Sequence, residues 1–335
     1  MATISVCMIV KNEEKVLGRC LDSLKGIWDE LIIVDTGSTD NTKAIACKYT
    51  DKVFDFKWVG DFSKARNYSI QKATMDYIYI PDADEILDEE NREKFLNLKE
   101  ALLPEIEVVE MKYVNQLENG TVYNFDEEYR PKLFKRLREW TFIEPVHERV
   151  RLDPVVYESD IDIIHKPKDV HSGRDLAIFE RMVAKGEALS LHLIKMYARE
   201  LMVSGKPENF MAAKEFFNGL SESADDESVL KLSYIVLCMS ASLSNDVCTL
   251  MKFSLKDSVG NFCSEICTIL GAFFEDRGDY NEALVWYFNA VYETSAETSL
   301  KYKYKLPLTG LSRIYKALGN LEEASKYEEE LKIYE

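Results

Sequence analysis

The feature that most constrains this chain is a short-period alternation of β-rich runs and helical segments near its start. Between the β-rich runs, apolar residues recur at helical spacing, as in the segment that Gly26 closes. Strands that alternate with helices at this interval predict a mostly parallel sheet covered by helices. The predicted strands are Ile4 to Val10, Leu31 to Val34, Val53 to Phe56 and Tyr77 to Ile80.

Polar clusters follow three of these predicted strands. They are Lys11–Glu14, Asp35–Asp40 and Asp82–Glu85. Sheets of this kind bind ligands beyond the carboxyl ends of their strands. The sequence therefore predicts one functional site at which all three clusters meet.

In the rest of the chain the predicted type of secondary structure changes twice. Strand-like stretches run from Val108 to Phe134, and mixed β structure is expected to continue to His165. After about Asp175 the pattern is helical almost to the last residue. We therefore expect an α/β domain over residues 1–172 and an all-α domain over residues 173–335.

The helical part contains an internal repeat. Gly278–Ala283 resembles Gly319–Ala324, and a tyrosine follows each at a matching place, Tyr287 and Tyr327. The two starts differ by 319 − 278 = 41 residues, slightly more than the ~34 of a tetratricopeptide repeat. A weaker relative begins at Gly205. The repeat predicts helical hairpins in a small solenoid, and the alternative is an irregular helical bundle.

Composition excludes several classes of protein. The net charge of −17 and the isoelectric point of about 4.9 disfavour binding to nucleic acid and to anionic membranes. No apolar run approaches the ~18 residues of a transmembrane segment, and the start reads as a strand rather than a signal peptide. The seven cysteines form no C-x-x-C pair, so neither a zinc site nor a disulfide framework is expected. These features favour a cytoplasmic location.

Asp82 and Asp84 follow a predicted strand directly, separated by one residue. Residues two apart in extended chain point to the same side, so both carboxylates can face one ligand. Two such oxygen donors suit Mg²⁺ or Mn²⁺ bound to phosphate oxygens. The alternative is an acidic turn that caps a helix starting near Glu89.

Two other motifs carry polar groups toward the same edge. Asp35 ends a predicted strand, where its carboxylate can accept from the N–H of a uracil, whereas Asp40 is adequately explained as a helix cap. Arg66 lies about one turn inside a predicted helix over Ala65 to Ala73, and its guanidinium can clamp a diphosphate. The alternative for Arg66 is an ion pair with an acidic neighbour such as Asp61.

Taken in order, four motifs resemble family 2 glycosyltransferases of the GT-A fold. The resemblance covers roughly residues 3 to 170, and it is strongest to a subgroup of β-1,4-glucosyltransferase-like enzymes and bacterial peptide glycosyltransferases with C-terminal helical repeats. The motifs are Ser5 to Glu14, Ile33 to Asp40, Asp61 to Asn67 and Asp82 to Glu85.

This resemblance implies roles for the donor-binding residues and a fold, a Rossmann-like mixed sheet with covering helices. Asp35 would contact uracil or its ribose, although many relatives have a second acidic residue where this chain has Thr36. Asp82 and Asp84 would form the D-x-D pair, in which one residue binds the donor ribose, or the metal through water, and the other binds Mn²⁺ or Mg²⁺ directly; Asp82 counts as both a donor-binding and a metal-binding residue. The remaining donor-binding residues implied by the resemblance are Val10, Lys11 and Asn12 beside the base and Arg66 near the diphosphate.

The catalytic residues are implied by a later block. The segment from Arg130 to Glu148 resembles an R-x-x-F…H-E feature of the subgroup. It points to Glu148 as the catalytic base and His147 as its neighbour in the site. His165 is the candidate third metal ligand, because related enzymes often use a late histidine. For each histidine the alternative is a purely structural residue.

The expected function is metal-dependent, inverting transfer of a sugar, glucose or N-acetylglucosamine, from a UDP-sugar to a protein, peptide or glycan. The first strand is followed by no G-x-G-x-x-G, which argues against a dinucleotide-dependent oxidoreductase. The alternative is a catalytically silent binding module whose helical repeats hold a partner protein. The repeats are expected to position the acceptor or to mediate homo-oligomer formation.

Overall fold

A computed structural model describes residues 1–114, 128–138, 140–150, 154–166, 174–257 and 262–334. The described residues form two compact units, one that extends to Lys166 and one that begins at Arg174. The predicted domain boundary between residues 172 and 173 lies outside the described residues and stays a prediction.

The first unit is built on a mixed sheet of eight described strands. Their order across the sheet is β3-β2-β1-β4-β7-β6-β10-β5. The first four strands of the chain are parallel neighbours, while β7 is antiparallel to both β4 and β6. The strands are β1 Ile4–Val10, β2 Glu30–Asp35, β3 Val53–Asp55, β4 Tyr77–Tyr79, β5 Glu85–Ile86, β6 Val108–Val114, β7 Glu128–Lys135 and β10 Val156–His165, with a separate pair β8 Phe142–Ile143 and β9 Arg149–Val150.

Both faces of this sheet are covered, which explains why β1 is apolar along nearly its whole length. One face of β1 presents Ile4, Val6, Met8 and Val10 to a core that also contains residues of helices α1 and α4. The opposite face presents Cys7 to a second core that contains Ile70 of helix α3. The covering helices are α1 Leu17–Ser23, α2 Thr42–Ala46, α3 Phe62–Ile70 and α4 Glu89–Ala101.

The predicted α/β fold with a mixed sheet is confirmed, with one shift in a helix boundary. Helix α3 begins at Phe62 rather than at Ala65, because the Asp61 side chain accepts a hydrogen bond from Lys64 N and caps it. Helix α4 starts at Glu89 as expected, but Asp88 caps it. The acidic stretch thus caps this helix through Asp88, and neither Asp82 nor Asp84 is the cap.

The second unit is helical, and sequential helices pack as hairpins, among them α10 with α11 and α12 with α13. Both copies of the internal repeat start a helix in the same way. A glycine in the left-handed region, Gly278 or Gly319, precedes a side-chain cap by Asp279 or Asn320. The helices are α5 Arg174–Ala184, α6 Leu191–Ser204, α7 Pro207–Ser223, α8 Glu227–Leu243, α9 Val247–Asp257, α10 Ser264–Glu275, α11 Tyr280–Phe288, α12 Lys305–Ala317 and α13 Leu321–Leu331.

Within the described ranges, no helix combines the length and apolar character that crossing a membrane requires. All seven cysteines are free thiols.

Candidate active site

Three neighbouring strands bring the three polar clusters to one edge of the sheet. Val10 at the end of β1 is in register with Asp35 at the end of β2. Strand β4, which leads to Asp82, lies on the other side of β1. Two strand spacings correspond to about 10 Å, which is the scale of a nucleotide diphosphate. The predicted convergence of the clusters is therefore present.

The turns after β1 and β2 are joined by hydrogen bonds. Asn12 Oδ1 accepts from Thr39 N at 2.8 Å, and Asn12 N donates to Ser38 Oγ at 2.9 Å. Asn12 adopts a φ of 58°, in the left-handed region that asparagine tolerates better than most residues. Lys11 is exposed beside it, and Val10 O accepts from Thr36 N at 2.9 Å. Val10, Lys11 and Asn12 thus border the Asp35 turn.

Asp35 is 4 % exposed, and its two carboxylate oxygens differ in their surroundings. Oδ1 accepts from the backbone N–H groups of Gly37 and Ser38, both at 2.9 Å. Oδ2 is buried and has no hydrogen-bond partner among the described residues. A buried acceptor without a partner is rare in proteins, and it is suited to an N–H or O–H group of a ligand.

Asp84 and His165 lie together at the same edge. His165 Nε2 is 3.0 Å from Asp84 Oδ2. Their side chains are 25 % and 20 % exposed, so both can be reached by a ligand. The contact arises because β5 pairs with β10 through Glu85 opposite His165, and Lys166 N donates to Asp84 O at 2.9 Å.

Arg66 connects the Asp82 turn to Glu148. Its Nη2 is 2.7 Å from Glu148 Oε1 and 3.5 Å from Asp82 Oδ1, and its Nε also donates to Glu148 Oε1 at 2.7 Å. Burial lowers the pKa of Arg66, but the charges of Glu148 and Asp82 outweigh it and raise that pKa. Arg66 therefore stays a cation, and its acidic partners are these two residues rather than Asp61.

Helix α3 also holds the segment that carries Glu148. Asn67 Nδ2 donates to Phe142 O, and Phe142 N donates to Asn67 Oδ1, both at 2.9 Å. Phe62 N donates to Pro145 O at 2.9 Å. His147, with a φ of 47°, directly precedes Glu148. The motif around Arg66 and Asn67 therefore binds a segment 75 residues away along the chain.

Lys132 was assigned no role from the sequence. Lys132 Nζ is 2.6 Å from Glu85 Oε1 and 3.5 Å from Asp82 Oδ2, and both Lys132 and Glu85 are buried. A lysine at an inward position next to the apolar pair Leu133-Phe134 was the available signal. A buried lysine needs an anionic partner, and Glu85 supplies it.

The electrostatics keep Asp82 ionised. Burial raises the pKa of Asp82, but the nearby charges of Lys132 and Arg66 lower it by more. The pKa of Asp82 therefore lies well below its ordinary value. The pKa of Glu85 is raised by its burial and by the charge of Asp82, against the opposing charge of Lys132. The ion pairs of the site bring together three carboxylates, Asp82, Glu85 and Glu148, with two cations, Arg66 and Lys132, and Asp84 adds a fourth carboxylate beside them.

The donor set fits a divalent cation. Asp82 and Asp84 offer carboxylate oxygens, and His165 offers an imidazole nitrogen, which together are ligands that Mn²⁺ and Mg²⁺ accept. The excess of negative charge in the cluster favours a cation at this position. Of the predicted site residues, Arg66, Asp82 and Glu148 form one connected group, and Asp84 with His165 lies beside it.

Comparison with known proteins agrees with this architecture. The family model described as "Glycosyl transferase family 2" matches residues 5–150. A TPR repeat-containing protein of Synechococcus elongatus is 52 % identical over 87 residues, which are 26 % of this chain and 22 % of that protein. The SPbeta prophage-derived glycosyltransferase SunS of Bacillus subtilis is 40 % identical over 102 residues, which are 30 % of this chain and 24 % of that enzyme.

The chain thus aligns with about a quarter of the length of these two relatives. Among solved structures, glucosyl-3-phosphoglycerate synthase of Mycobacterium tuberculosis superposes with a TM-score of 0.41 and 19 % identity, over 56 % of this chain and 80 % of that one. The family match includes every predicted site residue except His165. The chain therefore contains, over residues 5–150, a domain of glycosyltransferase family 2.

Proposed function

We propose that this protein transfers a sugar, glucose or N-acetylglucosamine, from a UDP-sugar to a protein, peptide or glycan, with inversion at the anomeric carbon. The observation that carries the proposal is the meeting of Asp84 and His165 beside the Asp82–Arg66–Glu148 group at the carboxyl edge of the sheet. It joins a cation site, a permanent positive charge and a candidate base within one site.

In this proposal Asp82, Asp84 and His165 hold Mn²⁺ or Mg²⁺. When bound, the cation supplies positive charge that stabilises the departing diphosphate. Arg66 adds a guanidinium that cannot lose its proton under working conditions, so it complements the same negative charge.

The nucleotide is assigned to the Asn12 and Asp35 turns. The orphan Asp35 Oδ2 suits the N–H of a uracil or a ribose hydroxyl. Val10 and Lys11 border this position. The hydrogen bonds that Asn12 N donates to Ser38 Oγ and that Asn12 Oδ1 accepts from Thr39 N fix the shape of the two turns. A rigid pair of turns lowers the entropy that binding would otherwise cost.

Glu148 is the proposed base that removes the acceptor proton. Both contacts from Arg66 end on Oε1, and Oε2 accepts no hydrogen bond from the described residues. Oε2 can therefore take a proton while Oε1 keeps the carboxylate oriented. His147, whose backbone is held in the left-handed region, is the proposed neighbour that lines the acceptor side.

The decisive measurement is release of UDP from UDP-glucose or UDP-N-acetylglucosamine with and without Mn²⁺. Asp84→Asn removes one ligand charge from a partly exposed position, so the fold survives while turnover falls by about 100-fold or more. Asp51→Asn, an exposed carboxylate outside the cluster, is the matched control and keeps full activity. Normal turnover in Asp84→Asn would reject the metal assignment.

The competing function, a silent binding module, predicts no UDP release for any donor in such a panel. The presence of both aspartates beside an arginine that pairs with Asp82 favours the enzyme. Glu148→Gln separates the steps within the enzyme. It leaves donor affinity unchanged and slows transfer, whereas a loss of donor affinity would assign Glu148 to donor binding.

A further inference from the structure

We propose that Lys132 is a positioning residue, which acts through Asp82 and is fixed by its buried ion pair with Glu85. The inference rests on the proposed function, since Asp82 is the residue whose placement matters. It adds to the site a lysine from the middle of the sheet, far in sequence from the aspartates.

The ammonium group of Lys132 contacts three residues of the Asp82 turn. Its ammonium lies 2.6 Å from Glu85 Oε1, 3.5 Å from Asp82 Oδ2 and 3.5 Å from Ile80 O. These three partners sit at the start, middle and end of the turn that follows β4. One ammonium group therefore contacts the first, middle and last parts of the turn and stabilises its shape.

The surroundings prevent Lys132 from moving elsewhere. Its Nζ lies 4.9 Å from the ring centroid of Tyr113, which is 1 % exposed. Lys132 itself is 6 % exposed and Glu85 is 2 % exposed. A lysine this buried has lost its water, so it depends on its contacts with Glu85, Asp82, Ile80 O and the tyrosine ring.

Asp82 shares its two oxygens between two cations. Oδ1 faces Arg66 and Oδ2 faces Lys132, each at 3.5 Å. The Asp82 side chain is still 44 % exposed. An exposed carboxylate without such partners would sample several rotamers, so the two cations define the one that points its free lone pairs to the ligand side.

A positioning role and a simple charge effect predict opposite changes in Mn²⁺ affinity when Lys132 is removed. Lys132 is a positive charge near a cation site, so its removal should strengthen Mn²⁺ binding if only Coulomb repulsion mattered. If Lys132 fixes Asp82, its removal weakens Mn²⁺ binding. Loss of a partner that orients a metal ligand typically costs 10- to 100-fold in metal affinity or activity, and we expect about that range.

The test is titration of the full chain with Mn²⁺, followed by electron paramagnetic resonance, together with kcat and KM for Mn²⁺-dependent UDP release. We expect Lys132→Met to bind Mn²⁺ about 10- to 100-fold more weakly. Lys135→Met, on the same strand but in contact with Pro104 O, is the control and binds as the wild type does.

Because Lys132→Met leaves Glu85 buried without its cation, a double variant keeps the test clear of misfolding. Lys132→Met with Glu85→Gln removes both charges at nearly constant volume, so the fold is retained and the net charge of the site is unchanged. We expect the double variant to melt close to the wild type and still to bind Mn²⁺ at least about 10-fold more weakly.

Two outcomes overturn the inference in distinguishable ways. Equal or tighter Mn²⁺ binding by the folded double variant, with an active wild type, rejects the positioning role alone. A wild type that neither binds Mn²⁺ nor releases UDP rejects the proposed function and this inference with it.

Discussion

At the scale of single residues, Arg66 links two acidic side chains that are far apart in sequence. Arg66 and Glu148 are 12 % and 13 % exposed, so each would be left as a mostly buried charge if the other were removed. Breaking a buried ion pair from one side is strongly destabilising. We expect Arg66→Met to lower the free energy of unfolding by about 3 kcal/mol, measured by urea denaturation.

A surface pair gives the matched control. Arg92 contacts Glu89 one turn away on helix α4, and the Glu89 side chain is 80 % exposed. Arg92→Met should therefore cost less than about 1 kcal/mol. Equal losses for Arg66→Met and Arg92→Met would mean that the Arg66 contacts contribute no more than a solvent-exposed pair.

Glu30, the first residue of β2, gives a prediction of how stability depends on pH. Burial raises the pKa of Glu30, but hydrogen bonds from Lys52, Ser5 and Thr74 outweigh it and hold that pKa at about 2, against an ordinary 4.5. Because the folded pKa is depressed, the stabilisation is complete above pH 4.5 and is lost as the pH falls toward 2.

We therefore expect Glu30→Gln to lower the free energy of unfolding by on the order of 2 kcal/mol at pH 7. The difference from the wild type should shrink as the pH falls below about 4.5. Urea denaturation of both proteins at several pH values from 7 down to 3.5 tests this. A difference that is constant over that range would show that the carboxylate charge is not responsible.

At the scale of elements, one tyrosine joins helices α10, α11 and α12. A Cβ added at Gly310 would lie 2.4 Å from the Tyr287 ring, and one added at Gly271 would lie 2.6 Å from it. Tyr287 OH also donates to Glu275 Oε2 at 2.8 Å. Tyr287, the first of the two repeated tyrosines, is thus a packing residue that requires glycine on both neighbouring helices.

Gly310→Ala should therefore destabilise the protein by about 1–3 kcal/mol through overpacking against Tyr287. Gly219 lies in helix α7 with nothing within 4 Å of an added Cβ. Gly219→Ala should instead stabilise by roughly 0.5–1 kcal/mol, because alanine is the better helix former. Thermal denaturation of the two variants checks the opposite signs, and a stabilising Gly310→Ala would contradict the packing argument.

Sequence patterns predicted an element well where its hydrophobic pattern agrees with the burial of its residues. The predicted first strand matches β1 residue for residue, because a run buried on both faces is continuously apolar. The contact between Asp84 and His165 depends on β5, a strand of 2 residues. A strand that short shows no hydrophobic periodicity. The strand pairing that brings His165 to Asp84 could therefore not be predicted from the hydrophobic pattern of the sequence.

Lys132 illustrates a second limit of sequence reasoning. Within β7 it occupies an inward position, where a charged residue is tolerated only with a partner. The partner, Glu85, lies 47 residues earlier, and strand order decides that they meet. Long-range pairs of this kind follow from sheet topology, which composition and spacing leave open.

At the scale of the whole molecule, the candidate site is made by the first compact unit. Its residues run from Val10 to His165, and the hydrogen bonds that shape it join residues of that unit. A compact unit with its own core commonly folds alone. The helical unit has a separate core around Tyr287 and Leu311.

We therefore expect a fragment of residues 1–172 to release UDP from the donor with Mn²⁺ at a rate within a factor of about three of the full chain. Transfer to a protein or peptide acceptor should fall much further, because the helical repeats are proposed to position that acceptor. Donor hydrolysis and acceptor transfer are measured in parallel on both proteins, with circular dichroism as a check on folding. A folded fragment that loses hydrolysis as completely as transfer would mean that the helical repeats are needed for the donor site itself.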